Sequence, residues 1–314
     1  MAIPKKGRLN EKIVTMLKGC GIDFQREHRL DVALCKDLPL TLVFLPASDI
    51  AKYVGEGNVD IGITGIDICE ESDVDVDRIL KLGIGKCKLC VQGPVANRIK
   101  DARELAGKRI VTSFPLLTKK FFDPLDEEKG VKTKIKFVSG SVEAACSLGL
   151  ADGIVDLVET GTTMRVRIFL SLLFILIDIV IGSRFRDCFR YTPNRGKTPL
   201  PTQKNKSNPT QAVLITNKKT QHDSVVKLIK RRVEGYITAT KYLMITYNVH
   251  VDLLEKASAI TPGKRSPTVT GLEDPNYKAV SSLVLKSQLS IKMDQLHDVG
   301  ATDILAVDLC NTRM

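Results

Sequence analysis

The sequence has no tryptophan, and aromatic residues make up only 5% of the chain. Proteins that bind single strands of nucleic acid usually stack the bases on several aromatic rings. This scarcity argues against a nucleic-acid partner, although the net charge is +11. The charge is largely local, since residues 166–211 contain eight Lys or Arg and two Asp, which leaves only +5 for the remainder. The remainder therefore lacks the basic footprint of nucleic-acid binding.

The sequence also lacks a regular spacing of cysteines. Its eight cysteines lie mostly in apolar or mixed segments, as is typical of reduced thiols in an intracellular protein. Cys87 and Cys90 form a Cys-x-x-Cys pair, but they lie in an alternating strand pattern, and no second pair or nearby His completes a zinc site. We therefore interpret both as structural cysteines.

Signals for export or membrane insertion are weak. Residues 1–6 lack the apolar core of a signal peptide and are more lysine-rich than a transit peptide, so we expect a cytoplasmic location. The apolar run over residues 168–181 has 14 residues and contains Asp178, whereas a transmembrane helix needs about 20. A membrane-tethered variant rests on this run alone and is the weaker interpretation.

Short apolar strands alternate with helical segments as far as residue 163, which predicts an α/β fold. From Tyr242 onward the predicted order is βαββαβ, the arrangement of a ferredoxin-like domain. Asn10 and Ser141 are expected to be the N-caps of the helices that begin there. The strands expected in the first part of the chain are 40–44, 80–82, 87–91, 109–112, 134–138 and 154–158.

Residues 154–163 combine a buried strand with a hydroxyl-rich glycine turn. Ile-Val-Asp-Leu-Val-Glu is followed by Thr-Gly-Thr-Thr, and Gly161 lets consecutive backbone amides point at one anion. Asp156 and Glu159 lie where carboxylates could accept hydrogen bonds from ribose hydroxyls or reach a magnesium ion. The pattern is typical of a sugar-phosphate site, but many strands also end in Thr-Gly loops that bind nothing.

Two further segments have features of a ligand site. Residues 4–9 form a basic turn before a helix, where Lys6 and Arg8 could neutralise phosphate; a solvated turn is the alternative. Residues 60–67 predict a strand that runs into a tight turn, and Gly62 and Gly65 would permit close approach of a ligand to the backbone. By itself this second segment could equally be a β-bulge.

Taken in order, these segments resemble the ATP phosphoribosyltransferase family in its long, histidine-regulated form, and are most similar to fungal members. The resemblance covers residues 2–165 and about 212–314. The motifs that carry it include Ala-Ile-Pro-Lys-Lys-Gly-Arg-Leu at the start, Val-Gly-Glu-Gly-Asn-Val-Asp-Ile-Gly-Ile-Thr-Gly at 54–65, and residues 107–113, 139–163, 253–257, 261–263, 266–268 and 300–305.

The resemblance implies a reaction in which N1 of ATP attacks C1 of phosphoribosyl pyrophosphate and expels pyrophosphate, with Mg²⁺, as the first step of L-histidine biosynthesis. It implies a two-lobed, periplasmic-binding-protein-like catalytic unit followed by a ferredoxin-like domain that binds L-histidine as feedback inhibitor. It also implies a homo-hexamer, with no nucleic-acid or membrane partner. Catalysis would consist mainly of positioning and electrostatic stabilisation.

The resemblance further implies a role for individual residues. Those expected at phosphoribosyl pyrophosphate and its magnesium ion are Glu143, Asp156, Glu159, Thr160, Gly161, Thr162 and Thr163. Those expected at ATP or phosphate are Lys6, Gly7, Arg8, Asp60, Gly62, Thr64, Gly65 and Asp67. Those expected at histidine are Asn248, Thr268, Leu283 and Asp303, although plain core packing is an equal alternative for Leu283.

Residues 166–211 depart from the family. Family members continue with a helix that opens in Ala-Ala-Gly-Leu, which is missing here, and the segment is first apolar and then basic without periodicity. We hypothesise that it is a retained intron read in frame, because the codon of Val166 begins with the GT of a splice donor and that of Gln211 could be the CAG of an acceptor. An inactive or non-catalytic binding protein on the same scaffold is the alternative function.

The expected domain organisation follows. Residues 1–90 would form the first catalytic lobe, to which the chain returns near 212–220, and residues 91–165 would form the second lobe. Residues 166–211 would be the insert, and residues 221–314 the regulatory domain.

Overall fold

The computed structural model describes residues 1–27, 30–93, 99, 101–159, 177–179 and 210–313. Its contacts divide the chain into two compact units. The first comprises Met1–Asn10, Arg26–Ala33 and Thr41–His222, and the second comprises Glu11–Gln25, Leu34–Leu40 and Asp223–Met314. Residues 11–25 and 34–40, which we expected in the first lobe, thus group with the C-terminal part of the chain.

The helices and strands follow the predicted alternation. The strands before residue 220 are β1 (Ala2–Pro4), β2 (Val32–Leu34), β3 (Thr41–Leu45), β4 (Ile61–Gly65), β5 (Val76–Lys81), β6 (Cys87–Gln92), β7 (Arg109–Thr112), β8 (Lys134–Phe137), β9 (Gly153–Glu159), β10 (Ile177–Ile179) and β11 (Ala212–Asn217). The helices are α1 (Arg8–Gly19), α2 (Ala47–Gly55), α3 (Ile66–Ser72), α4 (Pro115–Lys129) and α5 (Val142–Ser147), with a 3-10 turn at Ala102–Leu105.

The first sheet has the strand order β2-β3-β1-β4-β11-β5. β1 is parallel to β3 and β4, whereas β11 is antiparallel to β4 and β5. α2 buries Ile50, Ala51 and Val54 in a core shared with Val213 and Ile215 of β11. We call this sheet with α2 and α3 the first lobe; β11 enters it after the segment 160–209.

The second sheet has the order β10-β6-β9-β7-β8. β7 is parallel to β8 and β9, and β6 is antiparallel to β9. The apolar side of α4, which includes Leu117, Phe121 and Phe122, packs on one face of the sheet. We call this sheet with α4 and α5 the second lobe. Each lobe thus combines parallel strands with at least one antiparallel strand. This arrangement confirms the predicted two-lobed α/β fold.

The C-terminal part begins with α6 (Asp223–Lys241) and continues as a four-stranded sheet. Its elements are β12 (Tyr242–His250), a 3-10 turn (Val251–Leu253), α7 (Leu254–Ile260), β13 (Thr268–Gly271), β14 (Tyr277–Leu285), a second 3-10 turn (Lys286–Gln288), α8 (Leu289–Val299) and β15 (Thr302–Asp308). The sheet order is β13-β14-β12-β15, and each pair of neighbours is antiparallel. This topology confirms the predicted ferredoxin-like βαββαβ domain.

Of the two predicted helix caps, the position of Ser141 is confirmed and Asn10 is wrong. Asn10 lies inside α1, and its Nδ2 donates to the carbonyl of Pro4, 2.5 Å away, so it closes the preceding turn instead of capping the helix. Ser141 occupies the N-cap position of α5, but its side chain makes no capping bond, and its φ of 50° lies in the left-handed region. The case of Asn10 shows that the residue type favoured at an N-cap does not fix where the helix begins.

Most of the 166–211 insert lies outside the described residues. Within it, Ile177–Ile179 form β10, which pairs antiparallel with β6 so that Asp178 is opposite Cys90. At its end, the backbone of Thr210 pairs with Cys87, and the N–H of Cys87 donates to the carbonyl of Thr210. Among the helices of the described residues, none has the length and apolar character needed to cross a membrane.

Candidate active site and effector face

Parallel strands bring several predicted site segments to one edge in each lobe. In the first lobe, β1 ends at the turn before α1, and β4 ends at Gly65, directly before α3. In the second lobe, β7 ends before Ser113, and β9 ends at Glu159. Ligands of open α/β sheets bind at the carboxyl ends of the strands. The two edges are therefore the candidate active site.

The turn between β1 and α1 contains both neutralised and exposed positive charge. Lys5 Nζ is 2.6 Å from Asp31 Oδ2, and the bond from Lys5 lowers the pKa of Asp31. Lys6 and Arg8 are exposed at the surface. Gly7 has a φ of 86°, which a residue with a side chain rarely adopts, so it allows the chain to turn sharply into the helix. The turn therefore presents side chains and backbone of the predicted phosphate-binding residues to solvent.

The polar side chains at the end of β4 are turned into the protein. Thr64 is fully buried, and its Oγ1 donates to the carbonyl of Ala47 at 3.0 Å. Asp67 is only 4% exposed, and its Oδ1 accepts a hydrogen bond from Thr210 Oγ1 at 2.8 Å. Burial raises the pKa of Asp67, and the bond from Thr210 opposes that rise. The carboxylate folds back over Gly65, where an added Cβ would meet Asp67 Oδ1 at 2.1 Å.

Gly62 does not leave room for a ligand. A Cβ at this position would meet Ile50 Cγ2 at 2.7 Å and Val54 Cγ2 at 2.8 Å. The glycine therefore allows close packing of α2 on the sheet. The expectation that it permits approach of a ligand to the backbone is not supported by this geometry.

Asp60 lies at the other end of β4 from Thr64 and Gly65. Its Oδ1 accepts a hydrogen bond from Thr220 Oγ1 at 2.7 Å, and its carbonyl accepts from Thr216 Oγ1 at 2.9 Å. These contacts tie the start of β4 to the end of β11. The structure thus separates Asp60 from the other residues that we predicted at the nucleotide, because the two ends of a five-residue strand lie about 13 Å apart.

Asp156 lies within β9, and the strand alternates between two cores. Val155 packs with α4 on one face, whereas Ile154 packs with Val142 of α5 on the other. Asp156 follows Ile154 by two positions and therefore shares the α5 face, as expected for a strand with a two-residue period. Glu143 lies in the first turn of this same helix. The structure thus places two of the three predicted carboxylates on one side of the second lobe.

The remaining residues predicted at phosphoribosyl pyrophosphate are the last residue of β9 and the four residues that follow it. Glu159 is the last residue of β9, and its backbone pairs with Cys87. Thr160, Gly161, Thr162 and Thr163 lie outside the described residues.

The donor set fits a magnesium ion that is carried by the substrate. The described residues contain no group of three or more His, Cys, Asp or Glu side chains arranged to hold a metal. Asp156 Oδ1 accepts from the N–H of Leu157 at 2.8 Å, which orients the half-buried carboxylate. Mg²⁺ commonly binds through one or two carboxylates together with substrate phosphates. Asp156 therefore has the chemistry for such a contact.

A buried hydroxyl links β7, α4 and β9, and the sequence analysis missed it. Thr112 Oγ1 donates to the carbonyl of Val155 at 2.8 Å and accepts from the N–H of Phe114 at 2.9 Å. Thr118 Oγ1 is 3.3 Å from the same oxygen, and both threonines are fully buried. The only sequence signal was a threonine that follows the apolar pair Ile110 and Val111 at the end of the strand.

The C-terminal sheet places the four residues predicted to bind histidine on one face. Along β12, Leu243, Ile245 and Tyr247 are buried, so Asn248 lies on the opposite, outer face. Leu283 is paired with Met244, and Thr268 is paired with Ser281, which is opposite Thr246; both therefore lie on that same face. Asp303 Oδ2 accepts a hydrogen bond from Asn248 Nδ2 at 2.8 Å.

We call this surface the outer face, and it is partly apolar and exposed. Met244 is 37% exposed, Val307 is 49% exposed and Leu305 is 60% exposed. Val307 is opposite Met244, and Leu305 is opposite Thr246, so these side chains adjoin the four predicted residues. The core-packing alternative for Leu283 is thereby disfavoured, because the buried core of this domain lies on the other face.

Comparisons with known proteins agree with this architecture. The ATP phosphoribosyltransferase family matches residues 46–171, and the family described as HisG, C-terminal domain, matches residues 239–311. The chain is 44% identical to an ATP phosphoribosyltransferase of Yarrowia lipolytica and 43% identical to one of Saccharomyces cerevisiae. Each alignment covers 100% of this chain and 96% of the relative.

A solved structure supports the same conclusion. The ATP phosphoribosyl transferase (HisG:HisZ) complex from Thermotoga maritima is similar with a TM-score of 0.52 and 26% identity, over 74% of this chain and 95% of that chain. Two matched domains, full-length relatives and a similar solved fold converge on one assignment. The chain belongs to the ATP phosphoribosyltransferase family.

Proposed function

We propose that this chain transfers the phosphoribosyl group of phosphoribosyl pyrophosphate to N1 of ATP and releases pyrophosphate, as the first step of L-histidine biosynthesis. The observation that carries the proposal is the path of β9. This strand holds Asp156 on the α5 face and ends at Glu159, directly before the Thr-Gly-Thr-Thr loop. A strand, its carboxylates and a hydroxyl-rich glycine sequence in this order are suited to bind a ribosyl phosphate.

In the proposed mechanism, the residues act mainly by binding and orientation. N1 of ATP forms a bond to C1 while the bond from C1 to the diphosphate oxygen breaks, and the electron pair of that bond leaves with pyrophosphate. A magnesium ion held by the substrate diphosphate, with Asp156 and Glu159 beside it, would neutralise the charge that develops on the leaving group. Residues 160–163 bind the 5-phosphate. Asp156 and Glu159 orient the ribose hydroxyls, and Glu143 of α5 is a third carboxylate for the same role. No strong base is needed, because the leaving group takes up the developing charge.

The exposed turn before α1 is proposed to bind phosphates of ATP. Lys6 and Arg8 supply positive charge, and the backbone at Gly7 can approach an anion closely. The other residues predicted at ATP make contacts within the protein that instead support a role in stabilising the first lobe; they are Asp60, Gly62, Thr64, Gly65 and Asp67. We propose that they shape the nucleotide side of the site without direct contact.

The direct test is pyrophosphate release by the full chain with ATP, phosphoribosyl pyrophosphate and Mg²⁺. We expect release only when both substrates are present, together with formation of N1-phosphoribosyl-ATP. Asp156→Asn should raise the KM for phosphoribosyl pyrophosphate by about tenfold or more, because a charge-assisted hydrogen bond is lost. Binding of both substrates without turnover would instead favour the non-catalytic alternative.

Histidine is proposed to bind at the outer face. Asp303 supplies a negative charge for the ammonium group, Asn248 and Thr268 supply polar contacts, and Leu283 supplies an apolar surface. The exposed apolar residues around them also support burial in a homo-hexamer, as the family resemblance implies. Light scattering of the purified chain with and without histidine tests the assembly, and a monomer under both conditions would contradict it.

The origin of residues 166–211 remains a separate hypothesis. If the segment is a retained intron, the mature transcript joins the codon of residue 165 to that of residue 212, and sequencing of the messenger RNA will show that junction. A transcript that carries the segment uninterrupted would refute the hypothesis. In that case we expect low activity, because an apolar run follows the proposed substrate loop within a few residues.

A cytoplasmic location of the protein also stays a prediction.

A further inference from the structure

The first turn of α4 is capped by a side chain from the other lobe. The N–H groups of Leu116 and Leu117 donate to Glu71 Oε1 and Oε2, at 2.8 and 2.9 Å. The residue at the N-cap position is Phe114, whose side chain cannot accept a hydrogen bond, and Pro115 has no N–H. Because the N–H of Thr118 already bonds to Phe114, Glu71 accepts from both donors that the first turn would otherwise leave unpaired.

The helix that carries Glu71 is anchored in both lobes. Ile68 of α3 packs against the core of the first lobe and also against that of the second lobe. Glu71 follows Ile68 by three positions and so lies on the same side of the helix. Lys120 Nζ of α4 is also 3.6 Å from Asp73 Oδ1, just beyond α3. The contact between α3 and α4 thus combines apolar packing, a bidentate cap and an exposed ion pair.

Burial of the Glu71 carboxylate is unfavourable by itself. It raises the pKa of Glu71, and the hydrogen bonds from Leu117 and Leu116 and the charges of Lys120 and Lys52 oppose that rise. The two amides therefore offset part of the cost of placing a carboxylate between the lobes. Glu70 beside it is also partly buried, but its carboxylate pairs with Arg78 at 2.6 Å.

The capped turn is connected to the strand that holds Asp156. Phe114 and Thr118 flank the turn and both contact Thr112 Oγ1. Thr112 in turn donates to the carbonyl of Val155, the residue directly before Asp156. A continuous set of hydrogen-bonded and covalent links thus runs from Glu71 through the start of α4 to β9.

We infer that Glu71 is a positioning residue, which fixes the start of α4 from the first lobe and thereby sets the position of β9 and its carboxylates at the ribosyl substrate. The inference rests on the proposed function for its kinetic consequence. Its structural part, the coupling of α3 to β9 through Thr112, is independent of that function.

The test compares Glu71→Ala and Glu71→Gln with Glu70→Gln in the full chain. Glu70 is the matched control, because it is the same residue type on the same helix, but its carboxylate pairs with Arg78 of β5 within the first lobe. In Glu71→Gln, only one oxygen remains to accept and an N–H₂ group faces the second amide. Glu71→Gln keeps the shape of the side chain, so it remains informative if Glu71→Ala fails to fold.

We expect the KM for phosphoribosyl pyrophosphate to rise about tenfold in Glu71→Ala and less in Glu71→Gln, while the KM for ATP and the kcat stay within about twofold. Hydrogen exchange should accelerate at residues 114–118 and also at residues 153–158. Glu70→Gln should leave both measurements unchanged. This split between substrates would not follow from a general loss of stability.

Three results would overturn the inference. They are an unchanged KM for phosphoribosyl pyrophosphate in the folded Glu71 variants, faster exchange confined to residues 114–118, and equal effects of Glu70→Gln. Absence of turnover in the unaltered chain would instead contradict the proposed function. The exchange measurement would still decide whether Glu71 is coupled to β9.

Discussion

The end of β4 and the outer face of the C-terminal sheet use polar residues in opposite ways. At β4, Thr64 and Asp67 point into the first lobe and bond to Ala47 and Thr210. On the outer face, Thr268 and Asp303 are exposed, and Met244 beside them is 37% exposed. The first group stabilises the fold that shapes a site, whereas the second group is available to a ligand or a second subunit. A polar residue in a motif therefore receives its role from the side to which its strand turns it.

The largest effect on stability is expected from Gly62→Val. The new side chain would overlap with Ile50 and Val54, which lie 2.7 and 2.8 Å from the position of a Cβ. We expect the free energy of unfolding to fall by about 3 kcal/mol, measured by urea denaturation. Gly271→Val in β13 is the control, because a Cβ there would meet only the end of Lys278, at 3.9 Å. Equal losses in both variants would contradict the contrast between the two regions.

A smaller loss is expected from Thr210→Val. The substitution keeps the shape of the side chain but removes the hydrogen bond that Thr210 Oγ1 donates to Asp67, a residue that is 4% exposed. Leaving a buried carboxylate without this donor should lower the free energy of unfolding by about 2 kcal/mol. Thr270→Val, at an exposed position of β13, should change it by less than about 0.5 kcal/mol. If the two variants are equally stable, Asp67 does not depend on Thr210.

An ionic contact at the edge of the second lobe should have the smallest of the three effects on stability, and this effect should depend on pH. Arg109 donates to both carboxylate oxygens of Asp152, at 2.9 and 3.0 Å, and these bonds lower the pKa of Asp152 from 3.8 to about 2. Because the folded pKa lies below the unfolded one, the contact stabilises the protein above pH 3.8 and is lost as the pH falls towards 2. Both side chains are partly exposed, so the contribution is below about 1 kcal/mol.

Asp152→Asn tests this sign. The variant should unfold more readily than the unaltered chain at neutral pH, and the difference should vanish at about pH 2. Thermal unfolding monitored by circular dichroism at several pH values measures it. Asp73→Asn is the control, because Asp73 is more exposed and lies 3.6 Å from its partner Lys120. A difference that grows on acidification would contradict the assignment.

The sequence was sufficient for the fold class and for the order of most elements. Periodicity located them because each element buries one face in a lobe or domain core. It did not predict β2 or α3. The order of strand, helix and strand also placed Asp156 at the second sheet. The Asn10 cap failed because its side chain bonds to the backbone of the preceding turn, whereas Ser141 was located correctly but makes no capping bond in its left-handed conformation.

Contacts between segments distant in sequence could not be predicted. Asp67 and Thr210 are 143 residues apart, and Glu71 and Leu117 are 46 residues apart. A Gly-x-Thr-Gly pattern looks the same whether its cavity is filled by a ligand or by α2, as it is at Gly62. No signal in the sequence indicated the role of Glu71, because α3 was not predicted as a helix and its partner α4 belongs to the other lobe.

The contrast between inward and outward residues is tested most directly by histidine inhibition of pyrophosphate release in Thr268→Val and Leu283→Ala. Both residues lie on the outer face, so we predict kcat and unfolding free energy close to those of the unaltered chain. The histidine concentration for half-inhibition should rise by about tenfold or more. Unchanged inhibition by histidine in both stable variants would contradict the assignment of this face to the effector.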